Sequence, residues 1–301
     1  MKIRNAFTMI ELVFVIVIMG IIGKFGVEFL VQAYNSFIAS SVNNTLQANS
    51  GMAVEFIATR LQERIKDSII VRTGTGTTPI GLSDADPSAT YTVLEWVGAD
   101  GDGYRGNSDA LPNLPNWSGI VDLDAGNSAL IVSPKTDTTK VNALISALSY
   151  GTSDINDSAL YFIGSNSDIT TGYGWDGNLT AINAQQGTMH PINSNSDTTQ
   201  FIPKVGTGNF QDVYEYYKLA WSAYAVVIDD YNGTTHMGTL KLYYNYQPWD
   251  GEDYLDGNSS TLMENVSTFR AMAIGSVVKI QVCVKSDLVE EYSLCKEKTV
   301  F

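Results

Sequence analysis

The sequence predicts an α+β fold: one long N-terminal hydrophobic α-helix packed on an antiparallel β-sheet head. Three observations carry this. Leu12 to Gly23 contains no charged residue. Farther along, Ile57, Leu61, Ile65 and Ile69 recur at spacing four, one apolar face of a helix. From about Val71 the pattern changes to short apolar runs between turn-rich loops, which reads as strands.

Each segment has its own reason. Residues 7–30 are apolar apart from Glu11, Lys24 and Glu28. A spanning helix needs about 20 mostly apolar residues, so the segment suffices if its ends are helped. Lys24 can extend to an interface, whereas Glu11 lies inside the apolar run. Residues 31–70 continue the helix amphipathically, with Phe56 beside the stripe and Arg60, Glu63, Arg64 and Lys66 mostly between its members. Gly51 and the polar Ser40–Thr45 stretch are the places where it can break. Residues 71–301 form the β-rich head. Strands are expected at Thr90–Trp96, Ala129–Val132, Ala159–Ile163, Tyr224–Ile228 and Thr239–Tyr246. Val266–Ala273 and Val277–Val284 read as a hairpin turning near Gly275-Ser276. In its second strand Val278, Ile280, Val282 and Val284 share one face, and Lys279, Gln281 and Cys283 the other. Between Lys140 and Lys204 no basic residue occurs, and the composition there reads as long surface loops.

Composition narrows the function. The 301 residues are 44% hydrophobic and 17% charged, which suits a folded protein. Lys and Arg number 18 against 32 Asp and Glu, a net charge of −14 that opposes nucleic-acid binding. Two histidines and two cysteines leave little for metal or His-based catalysis. No GxSxG, HExxH or Walker pattern occurs, so an enzyme is not expected. Two GxGxxG matches, Gly101–Gly106 and Gly172–Gly177, lack the strand-then-helix setting of a dinucleotide site and read as turns. Trp96, Trp117, Trp175, Trp221 and Trp249 read as packing rather than a sugar-binding surface. Calcium is the cation that clustered carboxylates would suit. Asp100, Asp102 and Asp109 form one carboxylate group, and Asp250, Glu252, Asp253 and Asp256 another. Neither meets EF-hand spacing, and solvated turns are the competing reading.

The N-terminus discriminates best. An ordinary secretory signal needs a small-residue cleavage site after the apolar run, and Phe37-Ile38-Ala39 fits poorly. A plain anchor has no reason to hold Glu11, at about 2.5–3.5 kcal/mol if deep in a bilayer. A third possibility is cleavage before the apolar run. Asn5-Ala6-Phe7-Thr8-Met9-Ile10-Glu11-Leu12 resembles the prepilin signature of type IV pilins and type II secretion pseudopilins. The resemblance implies that residues 1–6 are a basic leader, cut between Ala6 and Phe7 by a prepilin peptidase that methylates the new amino terminus. Ala6 departs from the usual glycine. Glu11 becomes the fifth mature residue, available to a methylated α-amino group on a neighbouring subunit. Leader removal takes away Lys2 and Arg4. The resemblance places the chain as a single-pass bacterial inner-membrane protein with a periplasmic head, later assembled into a filament. Other pilins or pseudopilins and the inner-membrane assembly platform are the implied partners. Leu262–Arg270 and the following strand are similar to J-type minor pseudopilins and PilW-like minor pilins. Beyond the inner membrane the compartment is oxidising, so a disulfide between Cys283 and Cys295 is expected, with two free thiols as the alternative. A membrane-anchored periplasmic binding module, for calcium or glycan, is the competing function, and a DNA-uptake pilin is a further rival.

Overall fold

A computed structural model describes residues 8–106, 114–165, 168–182, 188–286 and 292–301. Helix α1 runs without interruption from Met9 to Gln62, about 81 Å at 1.5 Å per residue. Neither Gly51 nor Ser40–Thr45 breaks it. It stops short of the expected residue 70, with the Glu63 N–H turned onto the Arg60 and Leu61 carbonyls. Arg64 is the structural stop: its guanidinium donates to Leu61 O (2.8 Å) and Ser276 O (3.1 Å). The residue thereby satisfies an orphan carbonyl of the last turn and pins it to a sheet hairpin.

Among the described residues, thirteen strands follow in two antiparallel sheets. The larger sheet contains β1 (Ile70–Arg72), β2 (Ile80–Gly81), β3 (Val93–Gly98), β9 (Ser222–Asn232), β10 (Met237–Tyr246), β11 (Asn258–Ile274), β12 (Val277–Lys285) and β13 (Ser293–Val300). Its order is β13-β12-β11-β10-β9-β3-β1-β2, so β9 to β13 form a continuous meander. The smaller sheet contains β4 (Ile131–Val132), β5 (Ala159–Phe162), β6 (Met189–Ser194), β7 (Gln200–Pro203) and β8 (Tyr217–Ala220), ordered β4-β7-β6-β5-β8. All of it lies between β3 and β9 in the chain, with the short helices α2 (Gly101–Arg105) and α3 (Thr138–Leu148). Besides the expected strand β5, the Lys140–Lys204 stretch therefore contributes β6 and β7 to a second layer where surface loops were expected.

Strand parity builds four layers. In β3, Leu94 and Trp96 face α1, whereas Val93 and Val97 face the smaller sheet. In β5, Ala159 and Tyr161 face the larger sheet, whereas Leu160 and Phe162 pack with Val141 and Ile145 of α3. The order is α1, larger sheet, smaller sheet, α3. This period-two alternation lets one strand serve two cores. Trp96, Trp117, Trp175 and Trp249 are all buried, as packing residues are.

The C-terminal half of α1 lies on β11, β12, β13 and β3. Its buried residues Ala53, Val54, Ile57, Ala58 and Leu61 meet Val278, Ile280, Val282 and Val284 of β12, the apolar face legible in the sequence. Ile65 and Ile69 lie beyond the helix, and Ile65 serves the core between the sheets. Leu61→Ala is expected to cost about 2–5 kcal/mol, because the side chain is fully buried. Phe56→Ala, at a 43% exposed residue, is expected to cost far less. Urea unfolding of both variants, followed by tryptophan fluorescence, checks the contrast; equal losses would refute this placement of the helix face.

The β11–β12 turn falls at Gly275-Ser276, with Gly275 at φ +62°. Cys283 and Cys295 are bonded and stand directly opposite each other on β12 and β13, Cα–Cα 4.0 Å. Both lie on the face away from α1, since Val282 and Val284 point inward.

Candidate functional site

The N-terminal half of α1 is the least conventional surface of the molecule. Its most apolar 18 residues have a mean hydropathy of 2.3, and none of them is buried. The first buried residue of the helix is Val42. Before it, Phe14, Ile18, Ile22, Phe25, Phe29, Tyr34 and Phe37 are all exposed. The helix is long and apolar enough to cross a membrane, which fits single-pass anchoring. An exposed apolar surface of this extent needs lipid or protein to cover it.

Charge within this half is nearly balanced. Lys24 and Glu28, four residues apart, approach to 3.7 Å. Among the described residues, Glu11 is the charge there without an oppositely charged partner. Its Oε2 instead accepts from the Thr8 backbone N–H (3.0 Å) and the Thr8 hydroxyl (2.9 Å). Thr8-Met9-Ile10-Glu11 fits the T-x-x-E capping pattern, a signal present in the sequence and not used in reading it. Glu11 thus starts its own helix and also presents a carboxylate at the apolar end. The expected processing residues Ala6 and Phe7 lie outside the described residues.

The two acidic groups are occupied locally. Asp100 is 4% exposed and caps α2, accepting from Gly103 N (3.0 Å) and Trp117 Nε1 (3.0 Å). Burial raises its pKa. A Cβ on Gly103 would fall 1.9 Å from Asp100 Oδ2, so glycine is required there. The first GxGxxG is therefore a turn of helix closed by an aspartate, rather than the plain turn expected. Asp102 pairs with Arg105, and Asp109 lies outside the described residues. In the second group, Asp250 Oδ2 takes Lys204 Nζ at 2.6 Å and Glu252 Oε2 takes the Gln247 N–H at 2.8 Å. Asp253 accepts from Leu255 N (2.7 Å) and Asp256 from Asp253 N (2.9 Å). Among the described residues no three His, Cys, Asp or Glu side chains gather as a metal-holding group. The second GxGxxG is a turn region, where Gly174 has φ +81° and a Cβ would meet Pro248 O at 2.1 Å.

The head holds one buried ion pair that sequence reading missed. Arg72 Nε of β1 and Glu95 Oε1 of β3 are 2.8 Å apart, with the side chains 8% and 1% exposed. The pair points between the sheets. Arg72 also donates to Trp175 O (3.0 Å), and Tyr246 OH donates to Glu95 Oε2 (3.0 Å). Burial pushes the Glu95 pKa up to about 7, against the lowering influence of Arg72 and Tyr246. His190 is also buried, with Nε2 2.9 Å from Gln211 O and Nδ1 3.2 Å from Thr188 O. Burial pushes its imidazole pKa down. Its surroundings are Phe162 and Phe210, a core setting.

Comparison with family models, curated proteins and solved structures finds no match to this chain.

Proposed function

We propose that this protein is a minor pilin or pseudopilin, a structural subunit of a type II secretion pseudopilus or type IV pilus. The observation that carries the reading is the register of Ala6-Phe7 with Glu11 at the start of an exposed apolar helix. A carboxylate in an apolar setting gains from a cation. Among the described residues Glu11 has only its own Thr8 as partner, so the amino group of an adjacent processed subunit supplies the missing charge. The apolar half of α1 rests in the inner membrane before assembly and in the filament core afterwards. The head, residues 71–301, stands in the periplasm. Its second layer of sheet makes it bulky, which favours a minor or terminal position over a close lattice of identical copies.

Prepilin processing tests this directly. The membrane-extracted protein is expected to begin at N-methyl-Phe7 by intact-mass and terminal-peptide mass spectrometry. A chain that begins at Met1 and is indifferent to loss of the peptidase would overturn the reading. The anchored binding module would then take its place.

A further inference from the structure

We propose that Cys283–Cys295 is a redox-accessible staple on the edge strand of the head, one that a small dithiol opens while the rest of the head stays folded. This inference is independent of the filament reading.

The disulfide joins β12 to β13, and β13 is the edge of the eight-stranded sheet. Cys295 is exposed and Cys283 half-buried, both on the face opposite α1. The smaller sheet leaves that part of the molecule uncovered: its shared core draws on β1, β3, β9 and β10, with no residue of β11, β12 or β13. A reductant therefore reaches Sγ of Cys295 without any core opening.

The chemistry balances with a dithiol as reductant. One of its thiolates attacks Sγ of Cys295, the Cys283–Cys295 bond breaks, and Cys283 leaves as a thiolate that takes up a proton. The second thiol of the reductant then attacks the mixed disulfide and releases Cys295 as a thiol. Two electrons pass to the protein, and the reductant ends as a disulfide.

Opening affects β13 more than any other strand of the meander. On its α1 side β13 offers Val300, fully buried, Leu294, partly buried against the same core, and one ion pair, Lys298 to Glu55 at 2.7 Å. By contrast, β12 buries Val278, Ile280, Val282 and Val284. With the staple gone, β13 keeps a ladder on one side only, to β12, together with its contacts to α1. Edge strands so held open locally at low free energy. The staple therefore sets how firmly the strand under α1 stays in place.

The test uses the full chain in detergent micelles with dithiothreitol at neutral pH and no denaturant. Samples are alkylated at intervals and weighed intact, while tryptophan fluorescence follows the fold and hydrogen exchange follows each strand. Both cysteines are expected to label while fluorescence stays native. Exchange in residues 293–300 is expected to rise about tenfold or more, with β9 and β10 unchanged. Labelling only at the rate of global unfolding would overturn the proposal, and so would unchanged exchange in β13 after full reduction. The Cys283→Ser, Cys295→Ser double variant is expected to show the reduced exchange pattern without reductant. If it does not fold, reduction of the wild-type chain still decides the matter.

Discussion

Arg72→Met is expected to destabilise the head by about 3–5 kcal/mol at pH 8, because it strands the Glu95 carboxylate between two sheets. The cost should shrink at pH 5, and the sign follows from the Glu95 shift. Its folded pKa of about 7 lies above the ordinary value of 4.5. The stability it contributes is fully present below pH 4.5 and is lost as pH rises through 7. At pH 5 Glu95 is mostly protonated in the folded protein, so removing its cation then deprives a neutral acid rather than an anion. Above pH 7 the wild-type carboxylate is charged and depends on Arg72. The variant has no such partner, so its Glu95 is driven still higher. Urea unfolding of both proteins at pH 5 and pH 8 measures the difference. A loss of equal size at both values would show that Arg72 acts through packing on Trp175 and not through charge. Trp175 closes the network from the loop after β5, so the effect reports on the joint between the layers.

Glu11→Ala is expected to leave the head as stable as before and to lower incorporation into filaments at least tenfold, about 1.4 kcal/mol of assembly free energy. The two effects separate because α1 first buries a residue at Val42, far along the helix from Glu11. The substitution removes both the carboxylate and its bonds to Thr8, and a lost cap alone costs about 1 kcal/mol of local helix stability. Glu11→Gln discriminates between the two roles. Glutamine can still accept from Thr8 but carries no charge. If charge recruits the neighbouring amino group, Glu11→Gln assembles as poorly as Glu11→Ala. If glutamine restores incorporation, capping is the role of Glu11 and the intersubunit pairing fails. Sheared filament fractions, probed for this subunit against its level in the membrane, give the ratio.

What was legible in the sequence was local or periodic. The apolar run, the Glu11 register and the helix face at Ile57 and Leu61 depend on neighbours within a few turns. The β11–β12 hairpin was readable because its partners are adjacent and Gly275 marks the turn, at φ +62°. The parity of β12 also placed Cys283 on the outer face, and the disulfide to Cys295 forms there. The T-x-x-E cap at Thr8–Glu11 is equally local. Other features rest on distant pairs. β1, β2, β6, β7, β8 and β13 were not anticipated, and β1 and β2 have only three and two residues. Such strands acquire meaning from the partner they pair with, not from their own pattern. α3 is short, but its Asp137 cap, accepting from Thr139 N and Lys140 N, was a readable signal.

By itself, then, the sequence determined that an apolar helix with Glu11 inside its run leads into an acidic, β-rich head. Periodicity and composition are properties of a continuous stretch of chain. Only the tertiary structure decided that the described residues between β3 and β9 form a second layer. It also decided that α1 ends at Gln62, where Arg64 finds the Ser276 carbonyl, and that Arg72 meets Glu95 in a dry interior. Each of these depends on groups far apart in the chain. Their pairing is fixed by burial and by the need to satisfy every polar group removed from water.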